Sequence, residues 1–302
     1  MADDHYSRRA RASLVALLLL ALASVVAAQS PSLGPAEQIA EGVVLYRLDD
    51  PALLDPVGPV AVQALRIDPT KVRLEMGLAE DHVPSREAVQ QIALRRGAIA
   101  AVNGGFFALE SGQPTAMLKA GGRLLGTTSR PRGAVAFADR HGAMRLMFDR
   151  VAVHAIPGKK HLRDARYDTR LGSPAKEWAR ARDAVSGAGL LALDGRVFDD
   201  WHEEGLTAAF DTTRHPRTMI GVDAEDAIWL VTIDGRQPAI SMGMTFAELQ
   251  SLARRLGLRS ALNLDGGGST TMVAGGRIVN HPSDATGPRA VSDALLVLPR
   301  QR

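Results

Sequence analysis

Residues 228–235 read I-W-L-V-T-I-D-G, residues 245–256 read T-F-A-E-L-Q-S-L-A-R-R-L, and residues 261–271 read A-L-N-L-D-G-G-G-S-T-T. The outer two are apolar, strand-like runs, each ending in an aspartate followed by glycine. The middle one has helix signals at both ends. Thr245 and Glu248 stand at capping-box spacing and Gly257 supplies a stop, while Phe246, Leu249, Leu252, Ala253 and Leu256 fall on one stripe. A strand, a helix and a strand in that order are expected to form a right-handed crossover between parallel strands. Asp234 and Asp265 then leave the same edge of the sheet, where open α/β sheets keep their crevices. The expected fold is α+β or mixed α/β, a mixed sheet flanked by a few helices in one main domain.

The rest of the chain agrees with that outline. Val43 to Leu48, Val60 to Ile67 and Val72 to Leu78 are short apolar or alternating runs broken by Pro and Gly. Ser85 to Arg96 carries a serine cap, late arginines and Gly97, and predicts a second helix. Residues 155–185 are richer in charge and less periodic, and are expected to be an excursion or lid. The main domain is placed at 42–299, after a linker at 29–41. The first 28 residues resemble a secretory signal: a basic segment ending at Arg11, about 14 apolar residues from Leu14 to Ala27, and small residues before Gln29. That run is short of the ~20 residues a spanning helix needs, so no stable membrane span is expected after cleavage, and the location implied is periplasmic or secreted.

Composition narrows the function. The 302 residues carry a net charge of +3 with no cysteine. No basic stripe suits nucleic acid, and neither disulfides nor thiolate chemistry are available. The glycine-rich stretch lacks the lysine of a phosphate-binding P-loop, and Thr271 stands where a nucleophile elbow around Ser269 needs glycine. What remains is an acid beside Gly266, Gly267 and Gly268, whose successive N–H groups, with the hydroxyls of Ser269, Thr270 and Thr271, suit an anionic oxygen. Asp194-Gly195 reads as a hairpin turn. Asp234 stands open between a turn and a site, because Pro238 interrupts a returning strand. For Asp265 a simple turn has no use for three glycines. Two carboxylates in one crevice serve acid/base work or hold a cation, so a divalent cation is a candidate cofactor. Asn103-Gly104-Gly105-Phe106-Phe107 again ends a strand in a polar residue and glycines. His215 offers an acid or base and Arg217 a bidentate fork for phosphate, while Arg289 lies before the last strand.

Taken together, A-V-N-G-G-F-F at 101–107, H-P-R-T-M-I-G-V at 215–222, I-D-G-R-Q-P-A-I-S-M-G-M-T at 233–245, A-L-N-L-D-G-G-G-S-T-T-M-V at 261–273 and V-S-D-A-L-L-V at 291–297 resemble the phosphodiester glycosidase family. The resemblance implies a secreted hydrolase that cleaves the glycosidic bond of a sugar-1-phosphodiester, from a bacterial envelope or environmental glycan. It implies Asp265, Asp234, His215 and Arg217 as the catalytic set. Asn103, Gly104, Gly105, Thr218, Arg236, Gly266, Gly267, Gly268, Ser269, Thr270 and Arg289 are the implied substrate-binding set. Two other readings stay open at this point: a non-catalytic polysaccharide-binding or assembly protein, and a metal-dependent phosphodiesterase.

Overall fold

The computed structural model describes residues 33–156 and 165–300. The expected leader at 1–28 and residues 157–164 of the expected excursion lie outside them. Apolar runs of four to seven residues form most of the elements, and alternation decides which face of each is buried. In Val43–Leu48, for example, Val43 and Leu45 are fully buried while Val44 and Tyr46 are half-buried.

The central sheet has eight strands in the order Ala36–Ala40, Val43–Leu48, Val62–Ile67, Ile228–Ile233, Arg217–Asp223, Leu258–Asn263, Leu190–Leu193, Arg196–Val197. The expected parallel pair is not made. Arg217–Asp223 lies between Ile228–Ile233 and Leu258–Asn263 and runs antiparallel to both, with Arg217 opposite Ile233 and Met219 opposite Asn263. The cause is local. A short turn follows Arg217–Asp223, in which the Asp223 carboxylate accepts from Glu225 N and Ala227 N at 3.0 and 2.8 Å, and this folds Ile228–Ile233 back as a hairpin. The helix Phe246–Arg255 then carries the chain across the hairpin to its free edge. All the described strand pairings are antiparallel, and the described residues are mostly β, 44% strand and 15% helical. The expected mixed α/β architecture is therefore corrected. Two strands separated by one antiparallel neighbour still point the same way, so Asp234 and Asp265 do emerge at one end of the sheet.

A five-stranded sheet runs Arg277–Ile278, Met272–Ala274, Ala100–Asn103, Asp293–Pro299, Val72–Leu78. A six-stranded sheet is built around the long hairpin of Thr128–Arg140 and Ala143–His154, turned by His141 and Gly142 with φ of 53° and 79°. One apolar cluster joins all three sheets, taking Leu65, Leu230 and Leu262 from the first, Leu74, Val102 and Leu295 from the second, and Val135, Phe137 and Phe148 from the third.

Other boundaries move for identifiable reasons. Ala36–Ala40, within the expected linker, pairs with Val43–Leu48. The described part of the expected lid is built into the six-stranded sheet: Arg166–Thr169 pairs with Ala143–His154, and the helix Ala175–Arg180 buries Trp178 completely. The first helix spans Val89–Arg95, not Ser85 to Arg96, because the Ser85 hydroxyl donates to Glu80 at 2.8 Å and does not cap it. The second helix keeps its expected capping box, with Thr245 Oγ1 accepting from Glu248 N at 3.2 Å and Glu248 accepting from Thr245 N at 2.9 Å.

Candidate active site

The loop from Leu264 to Thr271 carries the chain from the eight-stranded to the five-stranded sheet, and the site forms where it crosses. Asp265 is held by its own backbone. Its N–H donates to Gly104 O at 3.2 Å, and its carbonyl accepts from Asn103 Nδ2 at 2.7 Å. Asn103 is buried and its Oδ1 accepts from Thr218 Oγ1 at 2.7 Å and Thr271 N at 3.2 Å. Asn103 and Thr218 thus brace the loop from behind and do not face an open space.

The Asp265 side chain lies on a pocket of about 200 Å³ lined by Phe210, His215, Pro216, Arg217, Arg236, Gly266, Gly267, Gly268 and Arg289. Burial raises its pKa to about 6, opposed by Ser269, by a hydrogen bond from Gly266 N and by the charge of Arg289, and supported by the charge of Asp293. Ser269 faces the carboxyl without a well-formed hydrogen bond, and the hydroxyls of Ser269, Thr270 and Thr271 are all buried with no partner.

The glycine loop is tighter than the open nest expected from the sequence. The N–H groups of Gly267, Ser269 and Thr270 donate to Pro216 O, Gly266 O and Gly267 O at 2.9, 3.1 and 3.2 Å, and Gly266 N donates to Asp265 itself. The glycines instead allow close approach. A Cβ on Gly266 would collide with Pro216 O, and one on Gly268 with both Asp284 and Arg289. Positive charge is therefore brought to the pocket chiefly by arginines. Arg289 is fixed by Asp284, which accepts from its Nε at 2.8 Å. Arg236 is exposed, adopts φ of +60°, and stands beside Gly267 with its Nη2 3.5 Å from His215 Nδ1. A left-handed arginine at a pocket rim is the kind of backbone outlier that clusters at functional sites. His215 is pushed below the usual imidazole range by burial and by Arg217 and Arg236, so it is neutral at neutral pH.

Arg217 is placed differently from its expected role. It is fully buried between Phe210 and Phe246, 4.8 and 4.7 Å from their ring centres. Its Nε donates to Met244 O and its Nη2 to Phe210 O and Thr213 O. Burial lowers it to about 10. Most of its fork is thereby committed to the protein, and its contribution to the pocket is mainly a fixed positive charge. Asp234 does not line the pocket. Its buried carboxylate accepts from Gln63 Nε2, Asn280 Nδ2 and His281 N at 3.2, 2.9 and 2.9 Å, and its place is to hold the 280–281 turn.

Three residues of the site are not among those expected from the sequence: Phe210, Asp284 and Asp293. Asp293 had a readable signal, since it sits in the otherwise apolar V-S-D-A-L-L-V, where an acid needs a reason. Its Oδ1 accepts from Gly105 N at 2.9 Å. Phe210 is half-buried on a short helix whose sequence has no distinguishing pattern. Among the described residues no three His, Cys, Asp or Glu side chains come together as a cluster.

An antiparallel β protein with a small cationic pocket and one acid of raised pKa is a scaffold for chemistry on an anionic substrate. The phosphodiester glycosidase family model matches residues 96–298, most of the chain, and the protein belongs to that family. It is similar to the mouse N-acetylglucosamine-1-phosphodiester alpha-N-acetylglucosaminidase, 26% identical over 208 residues that cover 66% of this chain and 36% of the mouse protein. The chain thus spans about a third of the length of that relative. A solved protein from Burkholderia pseudomallei superposes with a TM-score of 0.69 at 22% identity, covering 80% of this chain and 74% of its own. The zebrafish N-acetylglucosamine-1-phosphodiester alpha-N-acetylglucosaminidase catalytic domain, auto-inhibited by its pro-peptide, gives 0.64 at 23% identity, covering 91% and 87%. At those identities the two structures show the shared fold.

Proposed function

We propose that this protein hydrolyses the glycosidic bond of a sugar-1-phosphodiester, releasing free sugar and a phosphomonoester. The observation that carries the reading is Asp265, an acid raised to about 6 on the wall of a pocket whose other polar walls are Arg236, Arg289, Arg217 and His215. The phosphodiester anion lies against Arg236 and Arg289, with the buried charge of Arg217 behind it. As the C1–O bond breaks, its electron pair goes to the phosphate oxygen and Asp265 donates its proton there. A water adds to C1 and gives up a proton to neutral His215, which stands in the same pocket. The chemistry is matched: the second pKa of a phosphomonoester is about 6, close to that of the acid that protonates it. Glycoside cleavage usually employs two carboxyls, one of raised pKa as the acid, and here neutral His215 takes the place of the second.

The cationic walls explain why a phosphodiester suits this site better than a neutral glycoside. The leader-like residues 1–28 support an activity in the periplasm or outside the cell, on an envelope or environmental glycan; no helix among the described residues is long and apolar enough to cross a membrane. The names of the relatives make N-acetylglucosamine the first sugar to test. The protein is incubated with the methyl diester of N-acetylglucosamine-1-phosphate and free sugar is measured. Release of sugar with methyl phosphate supports the reading, and an inert protein at high concentration contradicts it.

A further inference from the structure

Asp293 is only 2% exposed, yet no lysine, arginine or histidine among the described residues pairs with it. Its Oδ1 accepts from Gly105 N at 2.9 Å and its Oδ2 from Ser292 Oγ at 2.7 Å. Its backbone carbonyl accepts from Gly104 N at 3.0 Å, and Gly104 O in turn accepts from Asp265 N at 3.2 Å. One peptide unit therefore ties the two aspartates together, and a Cβ at Gly104 would collide with Asp293 Oδ1. Burying a carboxyl without a counter-ion is costly, and asparagine would fill the same hydrogen-bonding place at less cost.

We propose that Asp293 is the positioning partner of Asp265, a second carboxyl fixed behind the Gly104-Gly105 link that keeps the Asp265 proton in place for transfer. The inference rests on the reading of Asp265 as the acid. The need for such a partner follows from the substrate. Binding a phosphodiester requires cations, and cations beside Asp265 would strip its proton. Arg289 pulls in that direction, as do Ser269 and Gly266 N on Asp265's own loop, and Arg217, Arg236 and His215 face the same pocket from its other walls. Asp284 offsets the charge of Arg289. Burial does most to keep the proton on Asp265, and Asp293 adds to it from behind, its charge raising Asp265 while burial holds Asp293 itself at about 6. The two then titrate as a pair, the first proton lost from either making the second harder to remove.

The test is titration of carbon-13-labelled aspartate carboxyls by NMR in the wild type and in Asp293→Asn, with the Asp265 signal assigned by its loss in Asp265→Asn. The expected result is a fall of about half a unit or more in the Asp265 midpoint when Asp293 is neutralised, because a like charge has been removed. In turnover, the loss of kcat at high pH should move down by a similar interval while KM changes little. An unmoved Asp265 midpoint overturns the proposal, even if kcat falls, because a merely structural residue would do that too. Should Asp293→Asn fail to fold, the wild-type curve decides: a two-step Asp265 titration supports the pair and a single step overturns it. Absence of phosphodiester hydrolysis in the wild type would remove the proposed function, and the NMR titration would still decide whether the two carboxyls are coupled.

Discussion

At the scale of single residues, charge placement around Asp265 governs the proposed chemistry. Asp265→Asn keeps the volume and removes the proton, so kcat for a sugar-1-phosphodiester should fall by about 10²–10⁴-fold, the usual worth of general acid catalysis, with the fold retained. Arg236 has no carboxylate partner among the described residues, so its charge is available to an anion. Arg236→Ala should raise KM by roughly tenfold or more, in line with the ~1.5–3 kcal/mol of a hydrogen bond to a charged group, as read from steady-state kinetics. Asp293 makes a stability prediction with a definite sign. Its folded pKa of about 6 lies above the ordinary ~3.9, so the folded protein binds this proton more tightly than the unfolded chain does. Below about pH 4 both states are protonated and nothing is lost; the cost grows between about pH 4 and 6 and is full above that, up to about 3 kcal/mol. Asp293→Asn removes that cost, so its melting temperature relative to wild type should rise between pH 4 and pH 7. A difference that stays flat across this window would show that the carboxyl is not held in the raised state.

At the scale of elements, local signals were read where the chain itself settles the matter. The capping box at Thr245 and Glu248 is such a case, and Thr245→Ala should cost about 1 kcal/mol by denaturant melting. The Asp194-Gly195 turn is another, since both residues adopt the positive φ that such a hairpin demands, 46° and 84°. The strand–helix–strand run was also legible, but its pairing was not. Whether a returning strand docks beside its predecessor or one place further on depends on who already occupies that edge, and here the Asp223 turn had filled it. The glycine loop shows the same limit. Three glycines announce a close approach, but only the structure shows that the approach is to Pro216, Asp284 and Arg289 and that most of the N–H groups are bonded internally. Gly268→Ala should therefore disturb the Asp284–Arg289 pair and weaken substrate binding, seen as a higher KM, more than it disturbs the fold.

At the scale of the whole molecule, the site exists because the Leu264–Thr271 loop joins two sheets and because the strands Ala100–Asn103 and Asp293–Pro299 are neighbours, with Ala294 opposite Asn103. Asn103, Gly104, Asp265 and Asp293 come from segments up to 190 positions apart. Their types could be read along the sequence, but which acid backs which could not, since that relation lies in sheet order. Asp234 is instructive: it emerges at the expected end of the sheet, yet its carboxylate is fully bonded to Gln63, Asn280 and His281. With the anion-facing walls of the proposed site built from arginines, charge neutralisation is left to the protein, and turnover should be unchanged by EDTA. Which bond breaks is decided by hydrolysis in oxygen-18 water, read by mass spectrometry of the released phosphomonoester. Cleavage between C1 and oxygen leaves the phosphate unlabelled, as this account predicts; oxygen-18 in the phosphate would mean attack at phosphorus and would contradict it.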